Sequence, residues 1–303
     1  MATLARRIAP APSPGAVSIA IRRARATWFW RVFLSFAGLV LFGPLVILVA
    51  FAFNDSNILA FPFEGFTTRW FTELFRDRLL VKALTNSVVI ASIVAPVCLV
   101  LGTLAAFGLT RFRFRGRGAI GGLVGAPLVL PWLIIGIAAL MAYARLDVSL
   151  SRGTVIATQT ICTFPLVTAI VAAQLFRFQK AQEEAAIDLG CSRLQVLRHI
   201  ILPHIAPALA ASAIFAFTWS FNNYEISLFT IGFDQTFPIW VYSSVRNPDH
   251  TAVVNAVSTL ISVVQVVLIA IAVRLLRARG AGTTGVVAET GVVPEIAGVP
   301  RAA

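Results

Sequence analysis

The chain predicts an all-α polytopic membrane protein with six transmembrane helices, on three observations. Of its 303 residues 58% are hydrophobic and only 13% charged, and the mean hydropathy is +0.86. A soluble domain with so few charges could not cover its surface. Six stretches, approximately 30–53, 81–109, 119–144, 154–175, 205–229 and 251–276, reach the ~20 mostly apolar residues a membrane span needs. The third observation is charge asymmetry, since Lys and Arg collect on the cytoplasmic side. The N-terminal segment carries Arg6, Arg7, Arg22, Arg23, Arg25 and Arg31. The connection after span two carries Arg111, Arg113, Arg115 and Arg117, and that after span four carries Arg177, Lys180, Arg193 and Arg198. The C-terminal end adds Arg274, Arg277, Arg279 and Arg301, whereas the other three connections together hold only Arg69, Arg76, Arg78, Lys82, Arg145, Arg152 and Arg246. Both termini and residues 178–203 are therefore expected in the cytoplasm.

The elements follow in order. Residues 1–28, Ala/Pro-rich and basic, are expected to be a flexible tail. The first apolar run exceeds the ~7–15 residues of a signal-peptide core and lacks a clear cleavage site after it, so it reads as a span. In the next connection Trp70, Phe71, Leu74 and Phe75 fall on one helical face. That spacing fits an interfacial helix on the outer surface, with a platform for a partner as the alternative. Spans two and three contain helix-weakening Gly and Pro. Pro44, Pro96, Pro127, Pro131 and Pro165 are candidate kinks in the first four spans. Gly121-x-x-x-Gly125 suits close helix packing, within the chain or against another subunit. Residues 29–277 thus form one transmembrane domain, and 278–303, Gly/Val/Ala-rich, a second flexible tail.

The polar interruption between spans four and five is the most informative segment. Glu184-Ala185-Ala186-Ile187-Asp188-Leu189-Gly190 reads as a short helix opened by an acidic residue and ended at a glycine turn. Ser192 and Gln195 then stand at capping-box spacing, and Leu202-Pro203 should stop the second helix. Ala185 and Ala186 permit close approach, and Gly190 tolerates a turn that a Cβ disfavours. The segment reads as a docking element; an ordinary amphipathic connection with Gly190 as a C-cap is the alternative.

Several chemistries are excluded. The two lysines, Lys82 and Lys180, sit in no phosphate-binding glycine loop, so ATP energy must come from a partner. His199, His204 and His250 form no zinc-binding pattern and no nucleophile elbow occurs; no catalytic or metal site is expected. Cys98, Cys162 and Cys191 are odd in number and widely spaced, so neither a disulfide nor a metal is expected. The net charge of +12 is distributed as orientation signals and lipid-surface anchors, not as a nucleic-acid module.

Glu184-Ala185-Ala186, with Gly190 and Ile200-x-Leu202-Pro203 downstream, is similar to the EAA loop of ABC-importer permeases. Phe53-Asn54-Asp55-Ser56, Phe66-Thr67, Trp70-Phe71 and Asn86-Ser87 resemble the spermidine/putrescine branch. So do Gly102–Ala106, Arg111–Gly116, Phe237–Ser243 and Asn255–Leu260. The resemblance covers about residues 30 to 276. It implies a type I (MetI-like) permease fold in a bacterial inner membrane, with cytoplasmic coupling helices within residues 178–203. It also implies a second homologous permease, two ATPase subunits that use ATP and Mg, and a periplasmic or extracellular solute-binding protein. Carried onto this chain, the ATPase-coupling residues are Glu184, Ala185, Ala186, Asp188, Gly190 and Ser192.

Substrate-path candidates come from polarity in a costly place. Trp219, Asn222, Asn223, Tyr224 and Glu225 are expected in the outer half of span five, where an ionisable residue is a functional hypothesis. Glu225 suits a cationic amine, and the aromatic faces suit cations too; an interfacial position for Glu225, or a pairing with the second permease, is the alternative. Polyamine permeases usually carry an acidic pair near here, whereas this chain has Asn222-Asn223. An opine or amino-acid-like solute therefore stands beside a polyamine. A stand-alone secondary transporter would need repeats with buried coupling charges, and a membrane enzyme a catalytic constellation; neither is visible.

Overall fold

The computed structural model describes residues 14–56, 61–246 and 250–289, confined to the backbone over 14–27 and most of 271–289. Helix α1 (Pro14–Phe51) is followed by the short α2 (Arg69–Glu73) and the long α3 (Arg78–Arg111). Next come α4 (Arg117–Gly125), a 3₁₀ turn (Ala126–Leu128), α5 (Trp132–Arg145) and α6 (Arg152–Arg177). The chain continues through α7 (Lys180–Asp188), α8 (Arg193–Val196), a π turn (Leu197–Ile201) and α9 (Leu202–Phe221). It ends with α10 (Glu225–Thr230), α11 (Phe237–Ser244) and α12 (Thr251–Glu289). Helical backbone thus begins and ends inside the segments expected as tails; residues 1–13 and 290–303 lie outside the described residues.

Among the described residues five helices are long and apolar enough to cross a membrane, and a sixth crossing counts if α4 and α5 form one bent span. The span expected over 119–144 is broken between two of its candidate kinks, its halves meeting at 100°. Pro127 lies in the 3₁₀ turn and Pro131 caps α5 with an extended backbone (φ −60°, ψ 130°). Two prolines this close remove donors that a continuous ladder needs and bias their predecessors away from helix. By contrast, Pro44, Pro96 and Pro165 sit inside unbroken helices.

Two further expectations are corrected. The fifth span does not reach residue 229 but ends at Phe221, because asparagine side chains compete for the backbone. The Asn222 amide donates to the Thr218 carbonyl (2.9 Å), and Asn223 Oδ1 accepts the Ile226 N–H (3.1 Å). Conversely, Leu202-Pro203 does not stop a helix. The π turn just before it loosens the ladder, and Pro203 enters the first turn of α9, where its missing donor is harmless. Residues Arg193–Phe221 therefore run as one rod from the polar connection into the bundle.

Helices α3, α6 and α9 form the centre of the bundle. Ile90, Val94, Cys98 and Ala106 of α3 pack with Val167, Val171 and Leu175 of α6 and with Ile205 and Ala216 of α9. Gly102 permits this closeness, since a Cβ there would lie 2.7 Å from Val167 Cβ. The same cluster continues through Phe178 to Ala186 and Val196, so the polar connection shares the bundle's core. A second cluster joins Trp70, Leu74, Phe237 and Trp240 to the start of α12. This corrects the interfacial reading of α2. Trp70 is buried and its indole donates to the Asn54 carbonyl (2.8 Å), while Phe75 alone of the four is largely exposed. Gly125 has no heavy atom within 4 Å of a notional Cβ, and Gly121 only Leu109 at 3.8 Å; the stripe makes no close packing within the described residues.

Candidate functional site

Helix α7 starts at Lys180, so Glu184 lies within it instead of opening it. Its end is a Schellman closure: the Gly190 N–H donates to the Ile187 carbonyl (2.8 Å) and the Cys191 N–H to the Ala186 carbonyl (3.0 Å). Gly190 adopts φ +90°, with open space around a notional Cβ; backbone conformation, not crowding, selects glycine. The chain then restarts through the capping box foreseen from sequence. Gln195 N–H donates to Ser192 Oγ (3.3 Å) and Ser192 N–H to Gln195 Oε1 (2.7 Å).

This geometry sorts the six motif residues. Glu184, Ala185, Asp188, Gly190 and Ser192 are exposed, and among the described residues Glu184 and Asp188 make no ion pair. Ala186 is 8% exposed and packs into the bundle's core, so the two alanines do not share an outward face. Instead, Ile187, Leu189 and Leu194 stand out, at 48%, 86% and 71% exposure. Sequence reading passed over these three; their signal was apolar residues inside an otherwise polar, small-residue connection. The result is a rigid turn presenting apolar and acidic side chains together.

The second region is the turn after α9. Trp132, Phe215, Thr218, Trp219, Asn222, Asn223 and Glu225 line a cleft of about 630 Å³. Trp132 and Trp219 meet edge to face with ring centroids 4.7 Å apart, and Phe215 stacks on Trp219 at 5.2 Å. Glu225 is exposed there and pairs with no cation among the described residues. The five sequence candidates do not converge, however. Asn223 is buried with its Oδ1 engaged, and Tyr224 lies outside this cleft, against Tyr242 at 4.9 Å. There it lines an adjoining cleft, which shares Asn222 with the first, together with Arg246, whose guanidinium donates to Tyr242 Oη (2.7 Å). Trp132 and Phe215 were missed because they come from other turns of the chain, one from beyond the α4–α5 break.

A buried polar network holds this region in place. Gln159 on α6 donates to Ser227 Oγ (3.0 Å) and accepts from Ser220 Oγ (2.5 Å), tying α6 to α9 and α10. Thr154 Oγ1 donates to the Thr230 carbonyl (2.6 Å). Inside a membrane such groups must be satisfied within the protein, so much of the polarity here is structural. Gly136 lets α10 lie against α5, as a Cβ would stand 3.0 Å from the Glu225 carbonyl oxygen.

The comparisons with known proteins agree with one another. Residues 98–280 match the family described as binding-protein-dependent transport system inner membrane component. The putrescine transport system permease protein PotI of Escherichia coli K12 is 36% identical over 245 residues, covering 77% of this chain and 85% of that protein. The spermidine/putrescine transport system permease protein PotC of the same strain is 30% identical over 249 residues, covering 81% and 92%. Among solved structures, a bacterial ABC transporter involved in alginate import aligns with a TM-score of 0.66 at 16% identity, over 86% of this chain and 98% of that one. The MetNI methionine ABC transporter aligns with a TM-score of 0.56 at 18% identity, over 66% and 96%; at such identities the likeness speaks for fold alone. With a helical bundle, a capped polar connection and a family match over most of the bundle, the chain belongs to the inner-membrane components of binding-protein-dependent transport systems, the permease subunits of ABC importers.

Proposed function

We propose that this permease passes a polyamine, with putrescine as its simplest form, and that residues 178–203 dock on the partner ATPase. The observation that carries the substrate reading is Glu225, a carboxylate with no ion pair among the described residues, in a cleft walled by Trp132, Phe215 and Trp219. A primary ammonium gains there from charge and from ring faces together. The likeness to putrescine and spermidine/putrescine permeases supports the same class. The absence of an acidic pair at Asn222-Asn223 fits their roles here, since Asn223 builds the turn and Asn222 stays bonded to Thr218.

In this reading ATP and Mg are used by two ATPase subunits, a second homologous permease completes the pathway, and a solute-binding protein delivers the solute. Both termini face the cytoplasm, in keeping with the arginine distribution. The ion pair between Arg111 and Glu183 supports one common side for the two arginine-rich connections. Nucleotide binding draws the docking elements together and the bundle reorients, which a ligand can drive only through differential affinity for the two states.

The test is uptake of labelled putrescine by the reconstituted transporter carrying Glu225→Gln. Loss of a charge-assisted contact should lower uptake about ten- to a hundredfold, with assembly intact. Unchanged putrescine uptake, or uptake of a zwitterionic amino-acid derivative in its place, would rule the substrate reading out.

A further inference from the structure

The mechanism needs a mechanical link between the docking helix and the bundle, and one feature outside the EAA residues supplies it. Arg111, the last residue of α3, and Glu183, in the first turn of α7, form an ion pair of 2.5 Å between Nη2 and Oε1. Their side chains are 13% and 19% exposed, far more enclosed than the other three ion pairs of the described chain. The arginine closes the C-terminal end of one helix and the glutamate the N-terminal end of the other, so each charge also complements its own helix dipole.

The pair stands on a packed base. Arg111 Cζ lies 5.7 Å from the ring centroid of Phe178, the buried residue that caps α6 just before α7 begins at Lys180. The other side of that environment is α9: Phe178 and His204 rings are 4.7 Å apart. The cytoplasmic ends of α3, α6 and α9 thus meet at one point, and Arg111–Glu183 is the polar contact binding α7 to it. Among the described residues the neighbouring arginines of the same loop, Arg113, Arg115 and Arg117, make no such pair.

We infer that Arg111 is a positioning residue for energy coupling: through Glu183 it locks the docking helix to α3, so that displacement of α7 by the ATPase moves the central bundle as a unit. The inference rests on residues 178–203 being the docking element. Without the pair, α7 would hold to the bundle only through the packing of Ala186 and its covalent connections to α6 and, by way of α8, to α9, with no polar tie to α3. A half-buried charge left without its partner is costly, so the two residues should be replaceable together but not singly.

The experiment uses the full transporter in proteoliposomes with a Phe215→Cys reporter, labelled from the binding-protein side by an impermeant maleimide with and without ATP. The readout needs no transported solute. In the parent, ATP should change the labelling rate about tenfold. Arg111→Glu and Glu183→Arg should each cut that response to about twofold or less while the ATPase still co-purifies, and the double exchange should restore it. A full response in either single variant, or a double exchange that recovers nothing, overturns the inference. Glu183→Gln keeps the shape and removes only the charge should a charge reversal prevent assembly; a full response there overturns it equally. Gly190→Glu separates the two ideas: a normal response in that variant sinks the docking reading itself, whereas its loss beside intact Arg111 variants sinks only the present inference.

Discussion

The proposed docking element and the turn after α9 are both polar interruptions of apolar sequence, yet they use most of their polar residues in opposite ways. In the docking element, backbone bonds close the turn at Gly190, the Ser192–Gln195 capping box restarts the helix, and Glu184 and Asp188 are left outward; of six motif residues only Ala186 faces the core. In the outer turn the side chains themselves build the structure. Asn223, Ser220, Ser227 and Gln159 satisfy one another or the backbone, leaving Glu225 and the tryptophans as the groups open to a ligand. A surface in water can hold its shape with main-chain bonds, because water serves the rest. A polar group within the bilayer must find a protein partner.

The largest test of this contrast is Gly190→Glu. It forces φ +90° on a residue with a Cβ, at about 1–2 kcal/mol, and adds a charge to the docking surface, where a like-charge or desolvation penalty reaches several kcal/mol. Uptake should fall about a hundredfold or more with insertion unchanged. Gly190→Ala carries only the first penalty, so an equal loss in both would mean that backbone strain alone accounts for the effect.

A smaller effect sharpens the comparison inside the bundle. Gly102→Ala would press a Cβ onto Val167 at 2.7 Å and should destabilise by about 1–3 kcal/mol, read as a lower melting temperature in detergent. Gly125→Ala meets open space and should stay within about 0.5 kcal/mol. If Gly125→Ala instead broke the permease pair, the small-residue stripe would be an intersubunit contact.

The smallest effect concerns the outer ion pairs. The hydrogen bond from Lys82 holds the Asp234 carboxyl below its ordinary range, with Arg152 at 3.8 Å helping. A depressed folded-state pKa gives stability that is present above the unfolded value, about 4, and is lost as pH falls through the folded one. The exposed setting keeps this small. Between pH 5 and 3, in round figures, Asp234→Asn should soften the acid decline in melting temperature by about 2 °C or less. No difference would show that the pair is energetically idle.

How much was legible in advance follows the same division. The capping box at Ser192–Gln195 and the turn at Gly190 were readable because both depend on residues within a few positions of one another. Pro203 misled because a proline's effect depends on the turn before it, and a π turn there admits the ring. Trp70 misled in a different way: an amphipathic aromatic stripe reads alike whether it meets lipid or a neighbouring helix.

By itself the sequence determined the class, the number of apolar stretches, the place of the polar connection and the family, since these follow from composition, period and short spacing. Tertiary structure alone decided that Trp132 joins Trp219 and Glu225, that Tyr224 lies against Tyr242 instead, and that Arg111 finds Glu183. The physical reason is distance along the chain. Contacts between residues tens of positions apart depend on how the helices pack, and no local pattern encodes which of many similar apolar faces will meet.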